Sequence, residues 1–289
     1  MKGKAFVLPA PDSLFVIKSI MTANFTLSAF GDEIDADLET QLKLLAEEGV
    51  RHLELRGAWG KNVLDLDDDE LHRVRALLDG YGFGVSAIGS PIGKSQLTQP
   101  RSFEQERMQR AIVAAELLGT ELVRVFSFYY EGAPSAARGE VLRRMALLAL
   151  QAEQAGLTLV HENEKDIYGD TPERCFDLLS AVGSPALRMA FDPANFVRSG
   201  ARPMHEAWPL LANFVDHVHI KDARTADGSV CVAGEGDGQI PELLTMLRER
   251  HYVGFLTLEP HLQIAGPSGG FSGAEGMRAA IHALRKLLT

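Results

Sequence analysis

The feature that most limits how this chain can fold is an alternation repeated eight times. A short apolar run is followed each time by a longer stretch with apolar residues three and four apart. The runs lie at 25–30, 52–56, 84–89, 122–128, 157–162, 187–192, 215–220 and 254–259. Their length and near-continuous apolar character suit strands covered on both faces. Between them, Leu38-Leu42-Leu45 ahead of Gly49, Leu71-Val74-Leu77-Leu78, Ile112-Ala115-Leu118 ahead of Gly119 and Leu142-Met145-Leu148-Leu150 ahead of Gly156 carry a helical period, three of them with a glycine stop. Later helices are predicted over 172–181, 204–212, 240–250 and 273–288, the first opened by Thr171 as cap, Pro172 and an acidic Glu173. Eight strand-helix units predict a closed parallel (β/α)8 TIM barrel, an α/β fold in one domain over 25–289. An open doubly wound sheet is the alternative, but no glycine-rich dinucleotide turn follows the first run.

Charge and composition narrow the partners. The 289 residues carry 29 basic and 39 acidic side chains, a formal charge of -10, with no cationic stripe, so nucleic acid is not expected. No run approaches the roughly 18 apolar residues of a membrane span, so no membrane partner is expected either. Cys175 and Cys231 stand far apart in no metal or redox spacing and are expected as free thiols of a cytoplasmic protein. Residues 1–24 read as a flexible N-terminal extension: Pro9, Pro11 and Asp12 break any signal-like core, and Met21 is an alternative start. Residues 263–271, rich in glycine and proline, are expected to be a loop forming a lid or wall after the last strand.

Four of the later runs end on a metal-ligating type of residue. These segments are Val160-His161-Glu162-Asn163, Phe191-Asp192-Pro193-Ala194-Asn195, His217-Val218-His219-Ile220-Lys221-Asp222 and Leu258-Glu259-Pro260-His261. Singly, each has a plain explanation: Glu162 as an ion pair with nearby Lys165, Asp192 as a turn former before proline, His219 as a hydrogen-bonded core residue, Glu259 as a strand end. In a barrel, however, the carboxyl ends of strands five to eight meet at one mouth. Three carboxylates and an imidazole converging there ask for a cation, because buried unpaired carboxylates are costly. The oxygen-rich set favours manganese, with magnesium, cobalt or zinc as alternatives.

These residues, with Gly234-Glu235-Gly236-Asp237-Gly238, resemble the sugar phosphate isomerase/epimerase family of the xylose isomerase-like TIM barrel superfamily, over nearly everything from Phe25 onward. The resemblance implies one divalent metal held by Glu162, Asp192, His219 and Glu259, with Glu162 and Glu259 also the acid/base pair. It implies proton abstraction beside a metal-chelated carbonyl of a monosaccharide or derivative. Epimerisation, aldose-ketose isomerisation or dehydration of a keto-sugar or inosose can each follow from that step.

The resemblance also implies that Arg224 helps bind the sugar. Lys221 shares the inward parity of His219 and is expected to pair with a substrate oxyanion, with Glu162, or with the ligands as a neutralising charge. Glu235 is expected to orient substrate or Arg224. Asn195 stands where the epimerases often carry a histidine, and an amide can bond a hydroxyl but cannot shuttle a proton. His161 is expected to point away from the mouth. Class-II AP endonucleases share the barrel but need additional histidines and acids that are missing here, where Arg56, Ser90 and Ser127 or Phe128 stand near the relevant strand ends. A sugar-binding protein without turnover is a further alternative, and a homodimer is expected from the way such barrels pair.

Overall fold

The computed structural model describes residues 23–262 and 272–289. Eight parallel strands close into a barrel: β1 Asn24–Ala29, β2 His52–Leu55, β3 Gly84–Ile88, β4 Leu122–Val125, β5 Thr158–Glu162, β6 Leu187–Phe191, β7 Val215–Ile220 and β8 Val253–Leu258. Closure is made by β1 against β8, in register from Asn24 opposite Val253 to Ala29 opposite Leu258. The alternation in the sequence thus becomes the (β/α)8 barrel it predicted. The expected N-terminal extension and the loop at 263–271 lie outside the described residues, apart from Ala23 and Asn24, where β1 begins.

The helices that return the chain are α1 Leu38–Glu47, α2 Asp68–Tyr81, α3 Arg101–Leu118, α4 Pro134–Ala155, α5 Pro172–Val182, the short α6 Pro193–Arg198 and α7 Trp208–Leu211, then α8 Ile240–Glu249 and α9 Gly273–Leu288. Local chemistry sets their ends. Asp67 caps α2 in a reciprocal box with Glu70, and Thr171 accepts from Arg174 N at the start of α5 as its sequence predicted. Their apolar faces pack on Leu53, Val123, Leu159, Met189, Val218 and Leu256 of the strands, forming the main core between barrel and helices.

Two predicted elements differ. The helix expected over 204–212 is broken into a π-helical turn Pro203–Ala207, the single turn of α7 and a 3-10 turn Ala212–Phe214. Pro203 and Pro209 each open a turn, since proline fits a first helical turn but not an interior. The fourth strand ends at Val125 rather than 128, because Phe126 and Phe128 N–H turn aside to Ile92 O and Gly93 O, both 2.8 Å away. That crossing requires glycine at 93: φ is +84°, and a Cβ would stand 2.1 Å from Phe126 O.

The barrel axis is polar. Inside the barrel Ser28 on β1 bonds Ser86 on β3 at 2.7 Å, and Glu54 on β2 reaches His217 on β7 at 2.7 Å. The strand register slips by one residue beside each partner of the second pair, between Leu53 and Glu54 and between Met189 and Ala190 opposite His217. Such bulges re-aim side chains, and they recur beside functional sites.

Candidate active site

Glu162 ends β5, Asp192 follows β6, His219 lies on β7 and Glu259 follows β8, so the topology carries all four to the carboxyl mouth. Each is buried, and one ligand-type atom from each lies within 4.8 Å of all the others. Among the described residues His219 Nδ1 has no hydrogen-bond partner, and it stands 3.5 Å from Glu162 Oε1. Crowded carboxylates with an unclaimed imidazole nitrogen are a donor set that a divalent cation fits, both in atom type and in the charge it would neutralise.

Local bonds fix these groups. The Asn163 amide donates to Asp192 O at 2.9 Å and accepts from Asp192 N at 3.0 Å, which pins the backbone of the aspartate. Asp192 Oδ1 accepts from Asn195 N at 2.9 Å. The Asn195 side chain donates to Glu162 Oε1 at 3.1 Å and to Asn163 O at 2.9 Å, while its own buried Oδ1 has no hydrogen-bond partner among the described residues. Asn195 therefore braces Glu162 and keeps one acceptor unspent.

Among the described residues, Lys221, Arg124 and Arg56 reach into the cluster. Lys221 Nζ lies 2.8 Å from Asp192 Oδ2 and 2.9 Å from Glu259 Oε2. Of the expected partners, it takes the ligands Asp192 and Glu259 and not Glu162, because β7 lies between β6 and β8 in the barrel. The partner of Glu162 is Arg124, not Lys165, which is exposed: Arg124 Nη1 stands 3.2 Å from Glu162 Oε2 and 3.7 Å from Glu259 Oε1. Arg56 donates to Glu259 Oε1, to Glu33 Oε1 and to Asp32 Oδ2, at 2.9, 2.9 and 2.7 Å. Glu33 in turn accepts from His261 N and from Ser272 Oγ, at 3.2 and 2.8 Å, which fastens both flanks of the segment after β8 to the mouth.

The charges perturb one another strongly. Burial alone would raise the Glu162 carboxyl, but the neighbouring His219 and Arg124 charges hold it at about 2. Burial opposes ionisation of Glu259 as well, and Lys221, His261, His219 and Arg56 still hold it well below the usual carboxylate range. Asp192 goes the other way: burial, reinforced by Glu162 and Glu259, pushes it up to about 6 despite Lys221. Burial would lower His219, yet the Glu54 and Glu162 charges outweigh it and lift the imidazole to about 10.

Arg224 and Glu235 do not join this cluster. They face each other at 3.8 Å on the surface, with side chains 46% and 63% exposed. The glycine-rich turn carrying Glu235 is organised by a different acid. Asp222 is buried and accepts from Ala223, Gly234, Gly236 and Gly238 N–H groups at 2.8–3.0 Å. A Cβ at Gly236 would lie 2.4 Å from Asp222 Oδ1, so the carboxylate needs glycine there and already fills the cradle an external anion would use. His161 points outward as its parity required, with Nε2 3.0 Å from Ser127 Oγ.

Sequence reasoning assigned no role to Glu54 or Arg124, nor to Arg56, Glu33 and Asp32 as partners of the site. A signal existed for the first two. Each is a charge in the middle of an apolar strand, Leu53-Glu54-Leu55 and Val123-Arg124-Val125. In a barrel with an apolar outer layer, such a residue can only point inward.

A family model described as xylose isomerase-like TIM barrel matches residues 42–287. A 2-epi-5-epi-valiolone 7-phosphate 2-epimerase from Actinoplanes sp. is 31% identical over 212 residues, which cover 72% of this chain and 76% of that protein. An inosose dehydratase from Clostridium perfringens is 23% identical over 260 residues, 84% of this chain and 80% of that one. Among solved structures, a D-tagatose 3-epimerase-like protein superposes with a TM-score of 0.72 at 19% identity, covering 91% of this chain and 97% of the other.

Proposed function

The chain belongs to the xylose isomerase-like TIM barrel family, and from that premise we propose that it is a divalent-metal-dependent isomerase or epimerase of a monosaccharide or sugar derivative. The observation that carries the reading is the convergence of Glu162, Asp192, His219 and Glu259 within 4.8 Å at the mouth. These four side chains would hold the ion, manganese first, with magnesium, cobalt and zinc as alternatives. When bound, a divalent cation would polarise a substrate carbonyl and offset the charge that builds on its oxygen as the neighbouring proton leaves.

The chain's own groups supply the proton transfers. Glu162 and Glu259 are both held ionised, the charge state a base needs, and substrate that displaced their cationic partners would raise their affinity for the proton. Arg124 stands within 3.7 Å of both and fixes their separation. One glutamate removes the proton and the other returns one. Delivery to the opposite face of the same carbon is epimerisation, and delivery to the neighbouring carbon is aldose-ketose isomerisation. The unspent Asn195 Oδ1 accepts from a substrate hydroxyl and orients the ring. Arg56, Arg124 and Lys221 are each paired with carboxylates, so a phosphate on the substrate, as in the name of the Actinoplanes relative, would be met at the rim by Arg224.

Asn195 favours a second reading, dehydration of a keto-sugar or inosose. It brings a hydrogen bond but no transferable proton to the position, and an inosose dehydratase is among the relatives. A screen of ketoses, aldoses, inososes and 3-keto sugars with manganese, followed by NMR in deuterated water, separates the two. The expected result is deuterium at one substrate carbon, abolished in Glu162→Gln and in Glu259→Gln while the fold persists. Retained exchange in both variants would refute the two-glutamate assignment, and water loss with a conjugated carbonyl product would select the lyase.

A further inference from the structure

Glu54 has no role in the chemistry above, yet it is a fully buried carboxylate at the centre of the barrel. Its Oε2 stands 2.7 Å from His217 Nε2 and 3.1 Å from His219 Nε2. Among the described residues its Oε1 has no hydrogen-bond partner, and the nearest lysine or arginine nitrogen is Arg124 Nε at 3.9 Å. Its close contacts are therefore the two imidazoles, and an ion pair alone is a weak reason for burying an acid.

The geometry points to Glu54 as a positioning residue that sets the tautomer and the aim of His219. This inference rests on the proposal that His219 is a metal ligand. A carboxylate can only accept, so the ring nitrogen facing it carries the hydrogen. With that hydrogen on Nε2, the lone pair available for coordination is on Nδ1. Nδ1 is the atom that faces Glu162 and has no hydrogen-bond partner. Carboxylate, imidazole and unclaimed nitrogen thus lie in the order that fixes ring orientation and raises ligand basicity at metal centres. His217 holds the same carboxylate oxygen from the deeper side, with Thr257 Oγ1 3.2 Å from its Nε2, so Glu54 itself is held in place. The edge of His219 against the Phe30 ring, 5.3 Å between centroids at 79°, limits rotation from another side.

A competing reading is that Glu54, His217 and His219 form a second metal site, since their ligand atoms also lie within 4.8 Å of one another. The distances oppose it. Two ligands about 2.1 Å from one tetrahedral ion stand about 3.4 Å apart, whereas Glu54 and His217 are separated by 2.7 Å, the length of a shared hydrogen.

The test measures manganese affinity by the electron paramagnetic resonance of the free ion, on folded protein, for wild type, Glu54→Leu and Glu54→Gln. Loss of the acceptor in Glu54→Leu is expected to weaken binding about 10- to 100-fold. Glu54→Gln retains an acceptor oxygen without the charge and is expected to fall between the two. A residue that merely supported the fold would lower the unfolding temperature and leave the affinity of the folded fraction unchanged. Wild-type affinity in both variants overturns the inference, as do two ions bound per chain. Should Glu54→Leu fail to fold, nitrogen-15 NMR of wild-type histidines with magnesium decides: a hydrogen on Nε2 of His219 is expected, and one on Nδ1 overturns the assignment. No manganese binding by wild type would sink the metal reading itself, and Glu54's role with it. Tight wild-type binding that Glu54 does not influence sinks only this inference.

Discussion

The two halves of the barrel mouth are built differently. The half formed by β5 to β8 presents Glu162, Asp192, His219 and Glu259 at strand ends, around one small volume. The half formed by β1 to β4 presents Arg56, Arg124 and Glu54, which engage the first half through charge and hydrogen bonds. One half gathers the acids around Lys221, and the other adds the guanidinium groups of Arg56 and Arg124 that make the remaining conflict tolerable. A cluster of acids can persist in a protein interior because neighbours supply positive charge and donors, so the second half is as much a part of the site as the first.

Asp192 carries the conflict within the acidic half most plainly. Its carboxyl titrates higher in the folded chain than in the unfolded one, so its charge opposes folding above its ordinary range, increasingly as pH rises toward about 6. Under the proposed function Asp192→Asn also removes a ligand of the ion, and it is expected to lose turnover by more than the roughly 10- to 100-fold that loss of a ligand's supporting partner costs. In the absence of metal it should unfold at no lower urea concentration than wild type at neutral pH. A variant that is both active and less stable would place Asp192 among the supporting groups instead.

Arg124 should show the reverse. Arg124→Met leaves Glu162 with His219 but without its guanidinium partner, and is expected to cost up to about 3–5 kcal/mol, the range for breaking a buried pair from one side. Urea denaturation of the metal-free protein measures it. Because Glu162 and Glu259 then lack the charge between them, manganese should recover part of the loss. A cost below about 1 kcal/mol would mean that the two halves are not energetically joined at this residue.

The difference between the halves also explains what could be read from the sequence. The eightfold alternation made the barrel legible, since period-2 and period-3.6 patterns need only neighbouring residues. The acids of β5 to β8 were legible because each ends an apolar run. Glu54 and Arg124 were harder: their partners lie 163 and 38 residues away, and a charge flanked by leucine or valine also suits an exposed edge until the barrel is closed. The pairing of Lys221 with Asp192 and Glu259 likewise depends on neighbouring strand ends, which strand parity fixes in direction but not in partner.

The smallest expected effect tests where the site stops. The family resemblance sets Arg224 beside the substrate, whereas its guanidinium lies at the surface, 3.8 Å from an equally exposed Glu235. The turn beneath it is fixed by buried Asp222 rather than by that pair, so removing the guanidinium should leave the turn and the buried cluster intact. Under the proposed function its contribution is one charged hydrogen bond to substrate at the rim. Arg224→Ala is therefore expected to raise KM roughly 10-fold, with kcat and manganese affinity close to wild type, measured by steady-state kinetics and by titration of the ion. A fall in kcat with KM unchanged would extend the catalytic half of the mouth outward to the rim, because the guanidinium would then act on the transition state and not on ground-state binding.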